Sequence, residues 1–200
     1  MKIIIIGGTG KIGHAVQQEL KPRHDIIVAA RKNSEIIVDI TDTTSIEQMY
    51  QSIGKFDAVI STVGKVYFGD IRTIQSEDYY VGLNDKLMGQ VNLVLIGQKY
   101  INDHGSFTLT SGILSQDPIQ FGSSASMVNA ALEGFTKSAA IELPKNIRIN
   151  VVSPTVILES ITEYASYFRG YEPVSAARVA LAYSKSVEGH QTGQVYRVGY

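Results

Sequence analysis

Short apolar runs alternate along the chain with longer stretches in which apolar residues recur every three or four positions. This alternation predicts βαβ units and a parallel sheet. Lys2–Ile6 is almost wholly β-branched, as in a strand covered on both faces. The spacing then predicts a helix over Lys11–Leu20, stopped by Pro22, a strand at Asp25–Ala29 and another at Ile36–Asp39. A helix at Thr43–Ser52 and a fourth strand at Phe56–Ser61 follow. Asp78–Tyr100 reads as one long helix, Ser106–Thr110 as a fifth strand, and Ser123–Leu143 as a second long helix closed by Pro144. The sixth strand is Ile147–Val152, ended by Pro154. Thr155–Pro173 reads as a loop with a short helix, Ser175–Val187 as the last helix and Gln194–Val198 as the seventh strand. The expected fold class is α/β. It is one Rossmann-like, doubly wound domain over residues 1–200, with a mostly parallel seven-stranded sheet and helices on both faces. One join is unusual, because parallel neighbours need a crossover of roughly a dozen residues or more. Only Ala30–Glu35 separates the second and third strands, so an extended link is expected there.

Composition narrows the function. The 18 Lys and Arg against 19 Asp and Glu leave a net charge of -1, so no basic surplus exists to neutralise a phosphate backbone and no nucleic-acid partner is expected. There is no cysteine, and His14, His24, His104 and His190 are too dispersed for a local two-histidine motif, so no metal is expected. No apolar run reaches the roughly 18 residues of a membrane span, and the apolar start is too short for a signal peptide. The reading is a cytoplasmic protein with no membrane partner.

The candidate chemistry begins at Gly7-Gly8-Thr9-Gly10-Lys11-Ile12-Gly13, between the first strand and the first helix. There, backbone amides and a helix N-terminus hold an anion, and Gly7, Gly10 and Gly13 permit close approach of backbone, phosphate and helix. Dinucleotide binding follows from the flanking strand and helix. A Walker A loop does not, because Ile5 and Ile12 stand where a glycine and a Ser/Thr are required. At the end of the second strand, where NAD enzymes place an acid, the chain has Ala29-Ala30-Arg31-Lys32. Arg31, aided by Lys11, would contact a 2′-phosphate, which favours NADP(H) over NAD(H). The alternative is that Arg31, Lys32 and Lys11 are solvated surface charges.

In these features and their order the chain resembles the short-chain dehydrogenase/reductase family, end to end. Gly7-x-x-Gly10-x-x-Gly13 is similar to the glycine spacing of its extended and atypical branches. Asp39-Ile40-Thr41-Asp42 resembles the segment whose acid and following residue touch adenine. Ser61-Thr62-Val63-Gly64 takes the place of the Asn-Asn-Ala-Gly turn. Gly105–Gly112 resembles the catalytic-serine strand, Ala130–Ser138 the helix after the Tyr-x-x-x-Lys motif, and Asn150-Val151-Val152-Ser153-Pro154 the strand before the substrate loop. The resemblance implies cofactor contacts from Gly7, Thr9, Gly10, Lys11, Ile12, Gly13, Arg31, Asp39, Ile40, Ser61, Thr62, Val63, Gly64, Lys86 and Pro154.

The family's catalytic residues do not carry over. Ala125 stands where the family has tyrosine, Asn129 where it has lysine and Lys86 where it has asparagine. The serine falls on Gly112, or on Ser111 if the loop has shifted by one. In the family the tyrosine exchanges a proton with the substrate oxygen while the nicotinamide exchanges hydride, and alanine does neither. Lys86 and Asn129 resemble an exchange of the family's Asn and Lys between two helices, with the ammonium reaching the nicotinamide ribose. The competing reading of Lys86 is an ordinary helical surface lysine. The candidate catalytic set is Lys86, Ser111 and Asn129. Ser111-Gly112 is not a hydrolase elbow, because Leu109 replaces the required glycine.

Two functions are carried forward. The first is an NADP(H)-dependent oxidoreductase acting on a small carbonyl or alcohol with an altered acid. The second is a non-catalytic NADP(H)-binding sensor or scaffold. A homo-oligomer, dimer or tetramer, is expected through helices 78–100 and 123–143. Their apolar residues, Leu83, Leu87, Val91, Val94 and Leu95 on one and Met127, Ala131, Leu132, Phe135 and Ala139 on the other, exceed one sheet-facing stripe.

Overall fold

The computed structural model describes all 200 residues, Met1–Tyr200. Strand β1 (Lys2–Ile6) leads through the glycine loop into helix α1 (Lys11–Leu20). Then come β2 (Asp25–Ala30), β3 (Ile36–Ile37), α2 (Thr43–Ile53) and β4 (Phe56–Ser61). Next are α3 (Ser76–Val81), a π-helical segment at Gly82–Met88, and α4 (Gly89–Gly97). Strand β5 (Ile101–Thr110), α5 (Ser123–Glu142), β6 (Arg148–Pro154), the short α6 (Ile161–Tyr164), α7 (Ala176–Glu188) and β7 (Val195–Val198) complete the chain. The strands form one sheet in the order β3-β2-β1-β4-β5-β6-β7, and every pairing is parallel. This is the doubly wound α/β fold, with the chain reversing its direction of winding between β1 and β4.

The strand of isoleucines shows why both faces must be covered. Ile4 and Ile6 pack with Ile46, Met49 and Tyr50 of α2, Leu93 and Val94 of α4 and Leu132 of α5. Ile3 and Ile5 pack on the other side with Val16 and Leu20 of α1 and Val179, Tyr183 and Val187 of α7. All four isoleucines are buried, each stabilising the fold by about 1.5–3 kcal/mol.

Several expected boundaries are corrected. The strand expected over Ile36–Asp39 keeps only Ile36 and Ile37, paired with Ala29 and Ala30. It is an edge strand whose last ladder bond is Val38 N–H to the Ala30 carbonyl. The short join before it turns at Asn33, whose φ of 56° reverses the chain without a helix. Strand β5 begins at Ile101, well before Ser106. Its pairing with β4 shifts register between Phe56 opposite Ile101 and Ala58 opposite Ser106, so Asn102–Gly105 bulge out of the ladder. Strand β6 starts at Arg148 and runs on to Pro154. Ser175 caps the last helix, its hydroxyl accepting the Arg178 N–H, so α7 begins one residue later.

The largest correction concerns Asp78–Tyr100. The helix starts at Ser76, where Gln75 and Asp78 form a reciprocal cap, and it ends at Gly97. Between them the Gly82–Met88 turn is π-helical. Such an expanded turn rotates consecutive side chains out of the regular helical phase. Here it carries Asp85 and Lys86 into the crevice at the carboxyl ends of the strands. The buried Gln90 amide locks α4 to the end of β5. Its Oε1 accepts the Thr110 N–H at 2.9 Å, and its Nε2 donates to the Thr110 carbonyl at 2.9 Å.

Candidate functional site

In doubly wound sheets ligands bind at the carboxyl ends of the strands, where the strand order reverses. Between β1 and β4 that position holds the glycine loop. Gly7 takes φ 80°, and a side chain on Gly13 would place its Cβ 2.3 Å from the Gly7 carbonyl oxygen. Only glycine lets the start of α1 pack on the loop so closely. No side chain caps α1 at Gly10, and the N–H groups of Lys11, Ile12 and Gly13 have no protein acceptor. These free donors at the positive end of a helix fit a pyrophosphate. Ser61-Thr62-Val63-Gly64 borders the loop, with Thr62 N–H and Oγ1 donating to the Ile6 carbonyl at 2.9 and 3.0 Å.

To one side lies a cavity of about 210 Å³, lined by Ile6, Ala30, Val38, Ile40 and Val63 with the polar Arg31, Lys65 and Asp85. The Thr41 N–H and hydroxyl, at 3.0 and 2.8 Å, hold the Asp39 carboxyl below the usual carboxylate range. Arg31 Nη2 donates to Asp85 Oδ2 at 3.0 Å and stands 3.5 Å from Asp39 Oδ1. It is therefore not a free cation at the end of β2. Lys11 does not join it. The Lys11 ammonium donates to Ser160 Oγ at 3.0 Å and to Glu163 Oε1 at 2.7 Å, tying the glycine loop to the 158–164 segment. Asp85, which sequence reasoning missed, is nine-tenths buried and also accepts the Lys65 N–H at 2.9 Å. Its only signal in the sequence is an acid directly before Lys86.

To the other side a cavity of about 310 Å³ is lined by Thr62, Lys86, Gly112, Ala125, Asn129 and Thr155, among others. Lys86 Nζ donates to the Ser111 carbonyl at 3.1 Å. Burial pushes its amine down to about 8, because desolvation disfavours the ammonium. Asn129 is 3 % exposed, and its Oδ1 has no hydrogen-bond partner; the buried Thr155 hydroxyl has none either. These orphaned atoms at the cavity wall suit a ligand carrying hydroxyl and amide groups, such as the ribose and carboxamide of a nicotinamide nucleotide. The Ser111 hydroxyl donates instead to Glu133 Oε1 at 3.3 Å, a buried carboxylate that also accepts from Ser115. Glu133, too, was missed; a glutamate in a helix carries no sequence mark of burial. Ala125 packs on Ile113 and Leu114, and Pro154 closes the rim. The outer wall is aromatic: Phe68 and Phe168 flank Tyr164 with ring centroids 6.4 and 6.5 Å away.

A family model described as Enoyl-(Acyl carrier protein) reductase matches residues 12–195. The crystal structure of the protein lin1944 from Listeria innocua is 47% identical and superposes with a TM-score of 0.97 over 99% of both chains. A small-chain dehydrogenase solved in complex with NADPH is 28% identical, with a TM-score of 0.88 over 99% of this chain and 96% of that one. L-xylulose reductase from Mesocricetus auratus is 26% identical over 130 residues, 63% of this chain; the match spans about half, 53%, of that enzyme's length. The matching model covers most of the chain, from the start of α1 to the start of β7, short of β1 and most of the glycine loop, and the chain belongs to the short-chain dehydrogenase/reductase family.

Proposed function

We propose that residues 1–200 act as one NADP(H)-binding unit that moves hydride between the cofactor and a small carbonyl or alcohol. The cofactor, when bound, supplies the hydride; the chain binds, orients and manages the proton. The glycine loop and the α1 N-terminus hold the pyrophosphate, Asp39 and Ile40 meet the adenine, and Arg31 meets the 2′-phosphate. The observation that carries this reading is the convergence of Lys86 and Asn129 on one cavity with an unpartnered acceptor. Lys86 donates and Asn129 Oδ1 accepts at the nicotinamide ribose, in the reverse of the family's arrangement. The NADPH complex of a 28% identical relative supports the cofactor class.

No tyrosine stands at Ala125, and the Ser111 hydroxyl is turned to Glu133, so the proton must come from another group. The Lys86 ammonium lines the cavity and titrates near 8, suited to proton transfer near neutral pH. The packing of Ala125 against Ile113 and Leu114 favours the second reading, a non-catalytic sensor or scaffold that binds NADP(H) without turnover. Calorimetric titration with NADPH and NADH, followed by a turnover screen over carbonyls and alcohols, separates the two. Binding with turnover supports the enzyme, binding alone supports the sensor, and no binding removes both.

A further inference from the structure

We propose that Asp85 is a determinant of the choice between NADP(H) and NAD(H), acting through Arg31 as a fixed counter-charge in the adenosine cavity. The inference rests on the reading that a nicotinamide dinucleotide places its adenosine in that cavity. Asp85 is 8 % exposed and cannot be screened as a surface carboxylate would be. Its Oδ1 is anchored by the Lys65 N–H at 2.9 Å, and its Oδ2 takes Arg31 Nη2 at 3.0 Å. Asp39 Oδ1 approaches the same nitrogen to 3.5 Å. One guanidinium thus stands between two carboxylates, and the Lys65 ammonium on the cavity wall brings the four charges to balance, so Arg31 has no positive charge to spare.

The consequence for the adenosine ribose is direct. A 2′-phosphate bears close to two negative charges and needs an uncompensated cation. Here the cation is already paired, and a carboxylate lies one hydrogen bond behind it. A free 2′-hydroxyl needs the opposite, an acceptor, as the acid at the end of β2 provides in NAD enzymes. The chain has no acid at that place in β2. The π-helical turn presents one across the same cavity, from the residue next to Lys86. Asp85 therefore reduces the advantage that Arg31 gives to the phosphorylated cofactor and keeps NAD(H) within reach.

The test is a pair of dissociation constants, for NADPH and NADH, measured by nucleotide fluorescence on the wild type, Asp85→Asn and Arg31→Ala. Asparagine retains an oxygen for the Lys65 N–H and turns its NH2, a donor, toward Arg31, so it removes the charge together with the acceptor that holds the guanidinium. Loss of one buried charge this close to the phosphate-binding cation raises the NADPH-to-NADH affinity ratio about tenfold. Arg31→Ala lowers the ratio. A ratio unchanged or lowered in Asp85→Asn overturns the proposal while leaving dinucleotide binding intact. Failure of the wild type to bind either nucleotide overturns the underlying reading and the proposal together. Asp85→Ser, which also removes the charge, gives the same ratio test should Asp85→Asn melt too low for titration.

Discussion

Gly64 and Lys86 interlock across the floor of the cleft. A Cβ on Gly64 would stand 2.5 Å from Lys86 Cγ and 2.7 Å from Lys86 Cβ, and Gly64 holds φ 137°. The lysine stem passes over the bare glycine to bring Nζ to the Ser111 carbonyl. Gly64→Ala therefore meets two penalties, backbone strain of about 1–3 kcal/mol and displacement of the stem. NADPH affinity is expected to fall about tenfold or more, because the ammonium leaves its seat. Gly54→Ala provides the control. Gly54 has φ 73°, but a Cβ there meets nothing within 4 Å, so that variant lowers the melting temperature and leaves NADPH affinity unchanged. Equal affinity losses in the two variants would show that the interlock has no part in binding.

The depressed Lys86 amine makes stability depend on pH in a defined direction. Its native value is about 8 against an ordinary 10.5, so below pH 8 the amine is charged in both states and the native state bears the full desolvation penalty. Between pH 8 and 10.5 the unfolded chain holds the extra proton, and stability rises with pH through that window. The shift corresponds to about 3 kcal/mol at most, and partial access to the cleft brings this to roughly 1–2 kcal/mol. Lys86→Met should melt higher than the wild type at pH 7, with the difference shrinking toward pH 10.5. The same variant should weaken NADPH binding more than binding of an adenine nucleotide alone. A stability difference that does not change with pH would refute the assignment of the depressed amine.

The strands, their parallel direction and the glycine loop were legible because each follows from the alternation of apolar runs and helical spacing along the chain. The β-branched run at Lys2–Ile6 and the glycines after it hold wherever they occur. The π-helical turn was not legible. Gly82–Met88 keeps helical spacing in the sequence, and its expansion shows only once its side chains meet the cleft. For the same reason Arg31 read as a free cation. Its partner Asp85 lies on a helix beyond β4, and nothing in the residues around β2 points to it. Lys86 and Asn129 could be paired on family spacing, but the turn of the Ser111 hydroxyl toward Glu133 depended on burial of a glutamate in mid-helix.

The long helices expose apolar residues, although fewer than their sequence suggests. Val94 and Leu132 turn inward and are buried against the sheet, and Val91 is buried as well. Met88, Leu95 and Met127 remain 42, 47 and 40 % exposed. A cavity between Val94, Leu95, Phe135 and Ala139 adds apolar relief beside them. Light scattering at micromolar concentration should give a dimer or tetramer, and Leu95→Glu with Met127→Glu should give a monomer that still folds, since charge at an interface core is costly. A monomeric wild type would refute assembly through this face.

Ala125 fixes what turnover should look like. General acid catalysis contributes about 10²–10⁴-fold, and on the proposed reading the position of the family's tyrosine falls on Ala125, a methyl group. NADPH-dependent reduction of simple ketones should be slower than in tyrosine-bearing relatives by that order. Whatever rate remains should depend on Lys86, whose ammonium lines the same cavity. The pH profile then distinguishes the donor. With Lys86 as the acid, reduction falls as pH rises through about 8 and the ammonium is lost, and Lys86→Met removes both the activity and the inflection. A residual rate that is flat across pH 7–9 and survives Lys86→Met would assign the proton to solvent. Ala125→Tyr projects a phenol into the cavity that Ala125 lines. It should raise the rate by itself, because the Lys86 ammonium on the same cavity wall already supplies the cation that helps a phenol give up its proton near neutral pH, and adding Lys86→Met should abolish the gain.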